Sequence, residues 1–200
     1  MIKEKDLKNK KIPKIFWTGI MLVSVVAGVT IKQLGDFRNN KLIFPTRTKV
    51  VEVIDGDTIR IKNGLSLRMI GIDAPNREDD YDKYLGAKRW LEKKIGGKEV
   101  NIEYDRHMDE KFGRLTGYVW LGCEAKEPKF LAWDYMKKNK SESMPELTTN
   151  PEGCKKGEMV NEEAIKTGMA KFEVYGGRGR LKYQGRLEIR SKNQELRSKN

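Results

Sequence analysis

The chain has 200 residues and a mass of 23.1 kDa, which is enough for one ordinary domain with some chain left over. Hydrophobic residues make up 38% of the sequence, a composition that excludes wholly disordered, collagen-like and multi-span membrane proteins. The formal net charge of +12 is uneven, with +7 in residues 1–47, +6 in residues 178–200 and −1 in residues 48–177. The basic charge therefore belongs to the two flanks, and alone it says little about nucleic-acid binding by the central part.

The N-terminal segment joins a basic stretch to an apolar one. Residues 1–14 contain six lysines, and residues 15–31 then run without a charge until Lys32. The length of this run lies at the lower limit for a membrane-spanning helix and just above that of a signal-peptide core. We expect a single-pass signal anchor in the lipid bilayer, with a cleaved signal peptide or a buried core helix as the alternatives.

The lysines also indicate an orientation for this anchor. Positively charged flanks stay on the cytoplasmic side, so residues 1–14 are expected inside the cell membrane and the C-terminal domain outside it. Cleavage would instead give a secreted protein. Residues 32–47 are expected to link the membrane segment to the domain.

The cysteine content is low. Cys123 and Cys154 are the two cysteines, and 30 residues lie between them. In an exported chain an even pair predicts a disulfide, with two free thiols as the alternative. The cysteines and the single histidine, His107, do not have the number or spacing of a closed zinc site.

From Thr48 onward the sequence alternates between apolar and polar residues, as strands with one buried face do. Five segments follow this pattern in chain order: KVVEVID, DTIRIK, SLRMIGI, EVNIEY and RLTGYVW. A shorter one, MAKFEV, comes later. The dipeptide Asn63-Gly64 lies between the second and third segments and predicts a tight hairpin there.

Two segments have helical spacing instead. Tyr84, Ala87, Leu91 and Ile95 recur at helical intervals, and the two glycines that follow end the predicted helix. The segment MVNEEAIKTG predicts a short second helix that ends at Gly168.

Short antiparallel strands with helices inserted late favour a β-barrel with α-helices (α+β) over a sandwich. We expect a five-stranded barrel of the oligonucleotide-binding type (OB-fold) over residues 48–177, preceded by one transmembrane helix. A polar, lysine-rich insert occupies residues 121–158 of this domain. Residues 178–200 are expected to form a basic C-terminal tail or weak helix, because Gly185 lowers its helix propensity.

Two aspartates and two arginines carry the chemistry of the sequence. Asp57 and Asp73 flank the same three-strand unit, so they can meet and supply hard oxygen ligands to Ca²⁺ or Mg²⁺. Arg68 is costly in a hydrophobic strand unless it faces solvent or an anion, and Arg114 follows a glycine at the start of another strand. Strand alternation puts Arg68 and Asp73 on opposite faces unless a bulge intervenes. Two arginines and a divalent ion together neutralise a phosphate.

Four segments carry a family resemblance: IDGDT at 54–58, LRMIGIDAP at 67–75, FGR at 112–114 and MVNEEAIKTGMAKF at 159–172. In this order they resemble the staphylococcal nuclease-like (thermonuclease) family over roughly residues 48–175. The resemblance implies an OB-fold barrel with helices and Ca²⁺-dependent hydrolysis of DNA and RNA phosphodiester bonds. Single-stranded nucleic acid is the expected substrate.

The resemblance also implies roles for individual residues. Asp57 and Asp73 would be calcium ligands, with the carbonyl of Ala74 as a third. Arg68 and Arg114 would bind and polarise the scissile phosphate. Two aromatic residues take positions near the nucleotide: Phe112 and Tyr175.

The sequence departs from the family pattern at Asn76, where the family has a glutamate that orients, and is expected to deprotonate, the attacking water. An amide can hold water but cannot accept its proton. Glu78 could replace this glutamate if the loop bulges, or hydroxide from solution could attack. The alternative function is a catalytically weak or inactive nucleic-acid-binding module.

Overall fold

The structure, a computed structural model, describes residues 44–109, 114–131, 147–174 and 180–198. The predicted membrane segment at residues 15–31 lies outside these ranges, as do Phe112 and Tyr175. Within the described ranges, no helix combines the length and the apolar character that crossing a membrane requires. The chain from Phe44 onward forms one compact unit.

The described residues form eight strands and three helices. The strands are β1 (Arg47–Val53), β2 (Thr58–Ile61), β3 (Ser66–Met69), β4 (Ile72–Asp73), β5 (Glu99–Asp109), β6 (Leu115–Leu121), β7 (Glu158–Met159) and β8 (Lys171–Phe172). The helices are α1 (Tyr81–Ile95), α2 (Val160–Lys166) and α3 (Gln184–Ser198).

Five of the strands close into a barrel. They follow the order β3-β2-β1-β5-β6 with antiparallel pairing, and a parallel pairing of β3 with β6 closes the circle at Leu67 and Leu115. The predicted five-stranded barrel with helices is confirmed. The predicted hairpin is also present, since β2 pairs with β3 and Gly64 between them has a φ of +86°, which a glycine adopts without strain. Strand β7 extends the sheet beyond β6, and β4 pairs separately with β8.

Helix α1 begins three residues before the predicted Tyr84. The carboxylate of Asp80 accepts a hydrogen bond from the backbone N–H of Lys83 at 3.0 Å, so it caps the first turn of the helix. The helix buries the predicted face, formed by Ala87, Leu91 and Ile95.

The C-terminal segment differs from the predicted basic tail, because it is packed into the compact unit. Tyr183 and Leu187 are fully buried with the barrel core. Two arginines of α3 bind the carboxylate of Glu162 on α2: Arg186 Nε at 2.9 Å and Arg190 Nη2 at 2.6 Å. Ion pairs therefore neutralise part of the basic charge, and the apolar residues hold the helix in place.

A second feature of this segment is a group of buried polar side chains, which we call the inner cluster: Glu103, Asp105, Tyr118, Trp120, Lys182 and Tyr183. Glu103 Oε2 accepts hydrogen bonds from Trp120 Nε1 at 3.1 Å and from the Tyr183 hydroxyl at 3.0 Å. Lys182 Nζ lies 3.6 Å from Glu103 Oε1 and donates to the carbonyl oxygens of Tyr104 and Leu131.

The ends of the insert are joined to each other. Cys123 and Cys154 form a disulfide with their Cα atoms 4.1 Å apart. Nearby, an antiparallel bridge links Lys129 to Glu152, and the backbone N–H of Ala125 donates to the carbonyl oxygen of Gly153 at 2.9 Å. Most of the insert between these contacts, residues 132–146, lies outside the described ranges.

Candidate active site

A turn between β3 and β4 brings Arg68 and Asp73 together. Strand β3 ends at Met69, and Gly71 then adopts a φ of +78° before β4 begins at Ile72. After this turn the side chains no longer alternate in step with those of β3. The prediction from simple alternation, that Arg68 and Asp73 lie on opposite faces, is therefore wrong. Arg68 Nη2 donates to Asp73 Oδ1 at 2.7 Å.

Asp57 meets the same guanidinium from the other side. Its Oδ1 accepts from Arg68 Nη1 and from Thr58 Oγ1, and its Oδ2 accepts from the backbone N–H of Ala74 at 2.8 Å. Gly56 permits this close approach because it has no side chain: a Cβ on Gly56 would lie 2.7 Å from the Cβ of Ala74. Arg68 therefore bridges the two predicted aspartates.

Burial dominates the electrostatics of Asp57, whose side chain is 2% exposed. Burial raises the pKa of Asp57 to about 7, although the charge of Arg68 acts in the opposite direction and Asp55 adds to the increase. A positive charge close to Asp57 therefore stabilises its ionised form, and a divalent cation would do so more strongly than one arginine.

Arg114 lies directly before β6 and is half-buried. The parallel pairing of β3 with β6 sets Arg68 opposite Thr116. Since Arg114 comes two residues before Thr116, it projects from the same face of the sheet as Arg68. Two residues of strand cover about 7 Å. The strand pairing therefore leaves Arg68 and Arg114 on neighbouring strands, two residues apart in register.

Comparison with known proteins agrees with this geometry. The family model described as "Staphylococcal nuclease homologue" matches residues 66–197. The chain belongs to this family. It is 30% identical over 161 residues to a thermonuclease of Staphylococcus hyicus, covering 76% of this chain and 73% of that protein. It is 34% identical over 121 residues to a thermonuclease of Staphylococcus intermedius, covering 54% and 71%.

A third relative of this staphylococcal nuclease homologue is called an uncharacterized endonuclease, from Escherichia coli O157:H7. The two are 27% identical over 117 residues, which cover 54% of this chain and 74% of that protein. At the level of the family, the prediction of a phosphodiesterase of the nuclease type is confirmed.

The turn after the site contains the position at which this nuclease homologue departs from the family pattern. Asn76 is exposed, and its amide Nδ2 donates to Asp79 Oδ2 at 3.3 Å. The backbone carbonyl oxygen of Asn76 accepts hydrogen bonds from the backbone N–H groups of Asp79 and Asp80. Glu78 is exposed in the same turn. These hydrogen bonds fold the turn onto itself and lead the chain into α1.

The sequence patterns did not indicate Glu173 as a site residue. Strand β8 pairs with β4 so that Lys171 lies opposite Asp73, and the backbone N–H of Glu173 donates to Gly71 at 3.3 Å. Burial is the largest cause that raises the pKa of Glu173, and the neighbouring carboxylate of Asp73 is the next. Alternation in MAKFEV places Glu173 on the same face as Lys171, but it does not reveal the partner strand.

The donor atoms at this site fit Ca²⁺. Asp57 and Asp73 each place one carboxylate oxygen on the guanidinium of Arg68, and Ala74 is held beside Asp57 through its backbone N–H. Carboxylate and carbonyl oxygens are the ligands that Ca²⁺ prefers. In the described part of the chain, no group of three or more His, Cys, Asp or Glu side chains is spaced around a single ion. A complete shell would therefore need backbone oxygens and water.

Proposed function

We propose that this staphylococcal nuclease homologue hydrolyses phosphodiester bonds of DNA and RNA, preferentially single-stranded, with Ca²⁺ as its cofactor. One observation carries the proposal: Arg68 joins Asp57 and Asp73 at a single point on the barrel. Binding of nucleic acid alone would need positive charge at this point, and it would not need two aspartates.

The arginines are proposed to perform the electrostatic part of the reaction. When water attacks phosphorus, negative charge increases on the non-bridging oxygens and the bond to the leaving oxygen breaks. Arg68 and Arg114 donate hydrogen bonds to those oxygens, which stabilises the transition state more than the ground state. Bound Ca²⁺ would add Lewis-acid polarisation of the phosphate, with Asp57, Asp73 and the Ala74 carbonyl as its ligands.

The attacking water loses its proton during the reaction. Asn76 cannot accept it, so either Glu78 or hydroxide from solution is proposed to replace the base. Loss of a general base typically lowers a rate by about 10²–10⁴-fold without abolishing it. Asn76 is the observation that favours the second candidate function, a nucleic-acid-binding module with weak or no catalysis.

Cleavage of fluorescently labelled single-stranded DNA and RNA by the full-length chain tests the proposal. We expect cutting in Ca²⁺ and none in chelator. Arg68→Lys, which keeps the charge beside Asp57 but loses the planar fork, and Arg114→Ala should each lower the rate by about 10²-fold. Arg60→Ala is the matched control, because Arg60 is exposed and bound to Glu52. Equal rates in all variants would show that the site lies elsewhere.

The location of the domain is also a proposal. Residues 15–31 are proposed to anchor the chain in the cell membrane, with residues 1–14 in the cytoplasm and the nuclease domain outside; cleavage of the segment would give a secreted enzyme. Protease added to spheroplasts should digest the domain. Complete protection, once access to the outer leaflet has been demonstrated, would reverse the orientation.

A further inference from the structure

The pairing of β4 with β8 brings an acidic residue that is distant in the sequence, Glu173, to the candidate active site. Lys171 lies directly opposite Asp73, and Glu173 comes directly after β8, with its backbone N–H bound to the carbonyl oxygen of Gly71 at 3.3 Å. The pairing therefore brings Glu173 to the Gly71 turn that leads into Asp73.

The contacts of Glu173 agree with this placement. Burial raises the pKa of the Glu173 carboxyl, the neighbouring Asp73 carboxylate adds to the increase, and the charge of Arg68 acts against it. The residue is half-buried, so water screens these interactions only in part. Glu173 consequently adds a third carboxylate to the region in which Asp57 and Asp73 bind Arg68.

The Glu173 carboxylate adds a negative charge near Asp73, which attracts cations, and Lys171 opposite Asp73 contributes a positive one. Asn76 itself does not add to this charge, because its side chain is neutral and donates to Asp79. Glu173 can therefore supply the negative charge that the family pattern places directly after Pro75, at the position of Asn76.

We propose that Glu173 is the third acidic group of this site and strengthens its affinity for a divalent cation, in place of the carboxylate missing at Asn76. The inference rests on the proposed function, since it assigns a residue to the same site. In the described arrangement Arg68 stands between Asp57 and Asp73, and the carboxylates are not spaced around one ion. Glu173 therefore acts through its charge at short range or through a bridging water.

Calorimetric titration of the full-length chain with CaCl₂ tests the proposal. Glu173→Gln keeps the size of the side chain and removes its charge, so it should raise the Kd for Ca²⁺ by about 10-fold or more, since ligand charge tunes such sites. Glu173→Asp should recover part of the affinity. The matched control is Glu152→Gln, which removes an exposed carboxylate paired with Lys129 in the insert and should leave the Kd unchanged.

Thermal unfolding in chelator separates this role from a structural one. Removing the charge of Glu173 relieves its repulsion with Asp73, so Glu173→Gln should unfold at the wild-type temperature or above it without metal. Addition of Ca²⁺ should then raise its melting temperature less than that of wild type. A lower melting temperature in chelator, with an unchanged Kd, would assign Glu173 to the structure and overturn the proposal.

The outcomes also distinguish this inference from the proposed function. If the wild type binds Ca²⁺ and cuts DNA while Glu173→Gln has the wild-type Kd, only the inference about Glu173 fails. If the wild type cuts DNA without binding Ca²⁺, or neither binds it nor cuts, both proposals fail.

Discussion

The barrel holds two groups of buried carboxylates, and their negative charge is balanced in different ways. In the inner cluster, hydrogen bonds from Trp120 and Tyr183 reach one oxygen of Glu103, and those from Tyr118 and the backbone of Lys182 reach Asp105. At the candidate active site, one guanidinium is shared by two aspartates and lies near a third carboxylate.

The two groups of carboxylates differ in whether their charge is available for chemistry. Glu103 and Asp105 are fully buried, they receive hydrogen bonds from neutral donors of the protein itself, and the Lys182 ammonium lies 3.6 Å from Glu103, so this cluster supports the fold. At the candidate active site two aspartates share the guanidinium of Arg68, and the side chain of Asp73 is 31% exposed. That exposure leaves room for an outside cation and for a phosphate.

The largest effect is expected from breaking the inner cluster. Lys182→Met removes a fully buried charge and leaves Glu103 without its cation, which should lower the free energy of unfolding by about 3–5 kcal/mol. Lys166→Met removes the partner of an exposed pair and should cost below about 1 kcal/mol. Urea unfolding measures both. If Lys182→Met is as stable as wild type, the inner cluster does not support the fold.

The second prediction concerns the dependence of stability on pH in chelator. The pKa of Asp57 is raised to about 7 in the folded chain, above its ordinary value near 4. Between these values the folded state holds more protons than the unfolded state, so stability should fall as pH rises from about 4 to about 7. Asp57→Asn should flatten this part of the curve in urea unfolding, whereas Glu52→Gln should not.

The disulfide allows a test that should affect stability and not the site. Replacing both Cys123 and Cys154 by alanine frees the ends of the insert and should cost roughly 3–4 kcal/mol in the free energy of unfolding. The Kd for Ca²⁺ should stay at the wild-type value. Mass spectrometry of the unreduced, alkylated protein provides the control, since two alkylated cysteines would contradict the bond.

The smallest effect is expected from adding charge to the site. Asn76→Glu supplies a proton acceptor and should raise single-turnover cleavage by about 10-fold. If Glu78 already serves as base, Glu78→Gln should instead be the damaging change and Asn76→Glu should have little effect. A protein that only binds nucleic acid would respond to neither substitution.

Much of the fold follows from local sequence patterns. Alternation and the Asn63-Gly64 dipeptide predicted the barrel strands and their hairpin, because both signals act over a few residues. Burial of the C-terminal segment was not predicted, since its core contact depends on Leu187 and on ion pairs between α2 and α3. No pattern within the segment itself reveals those partners.

The candidate site was predictable to a similar extent. The motifs singled out Asp57, Arg68 and Asp73, and the structure brings these three together. The Gly71 turn decides how they meet, and a positive φ cannot be read from alternation. Glu173 depends on the register between distant strands, which one sequence does not give. The roles of Phe112 and Tyr175 stay predictions.

The Gly71 turn has a consequence for when the enzyme becomes complete during synthesis. A Cβ at Gly71 would lie 2.7 Å from the Cδ1 atom of Leu187, so the last helix packs directly against the turn that orients Arg68 and Asp73. Chains emerge from the ribosome N-terminus first, so a nascent chain contains every motif of the site before it contains Leu187. A chain truncated after residue 180 should therefore fail to cut RNA in a cleavage assay, because the site is completed only once Leu187 has been synthesised.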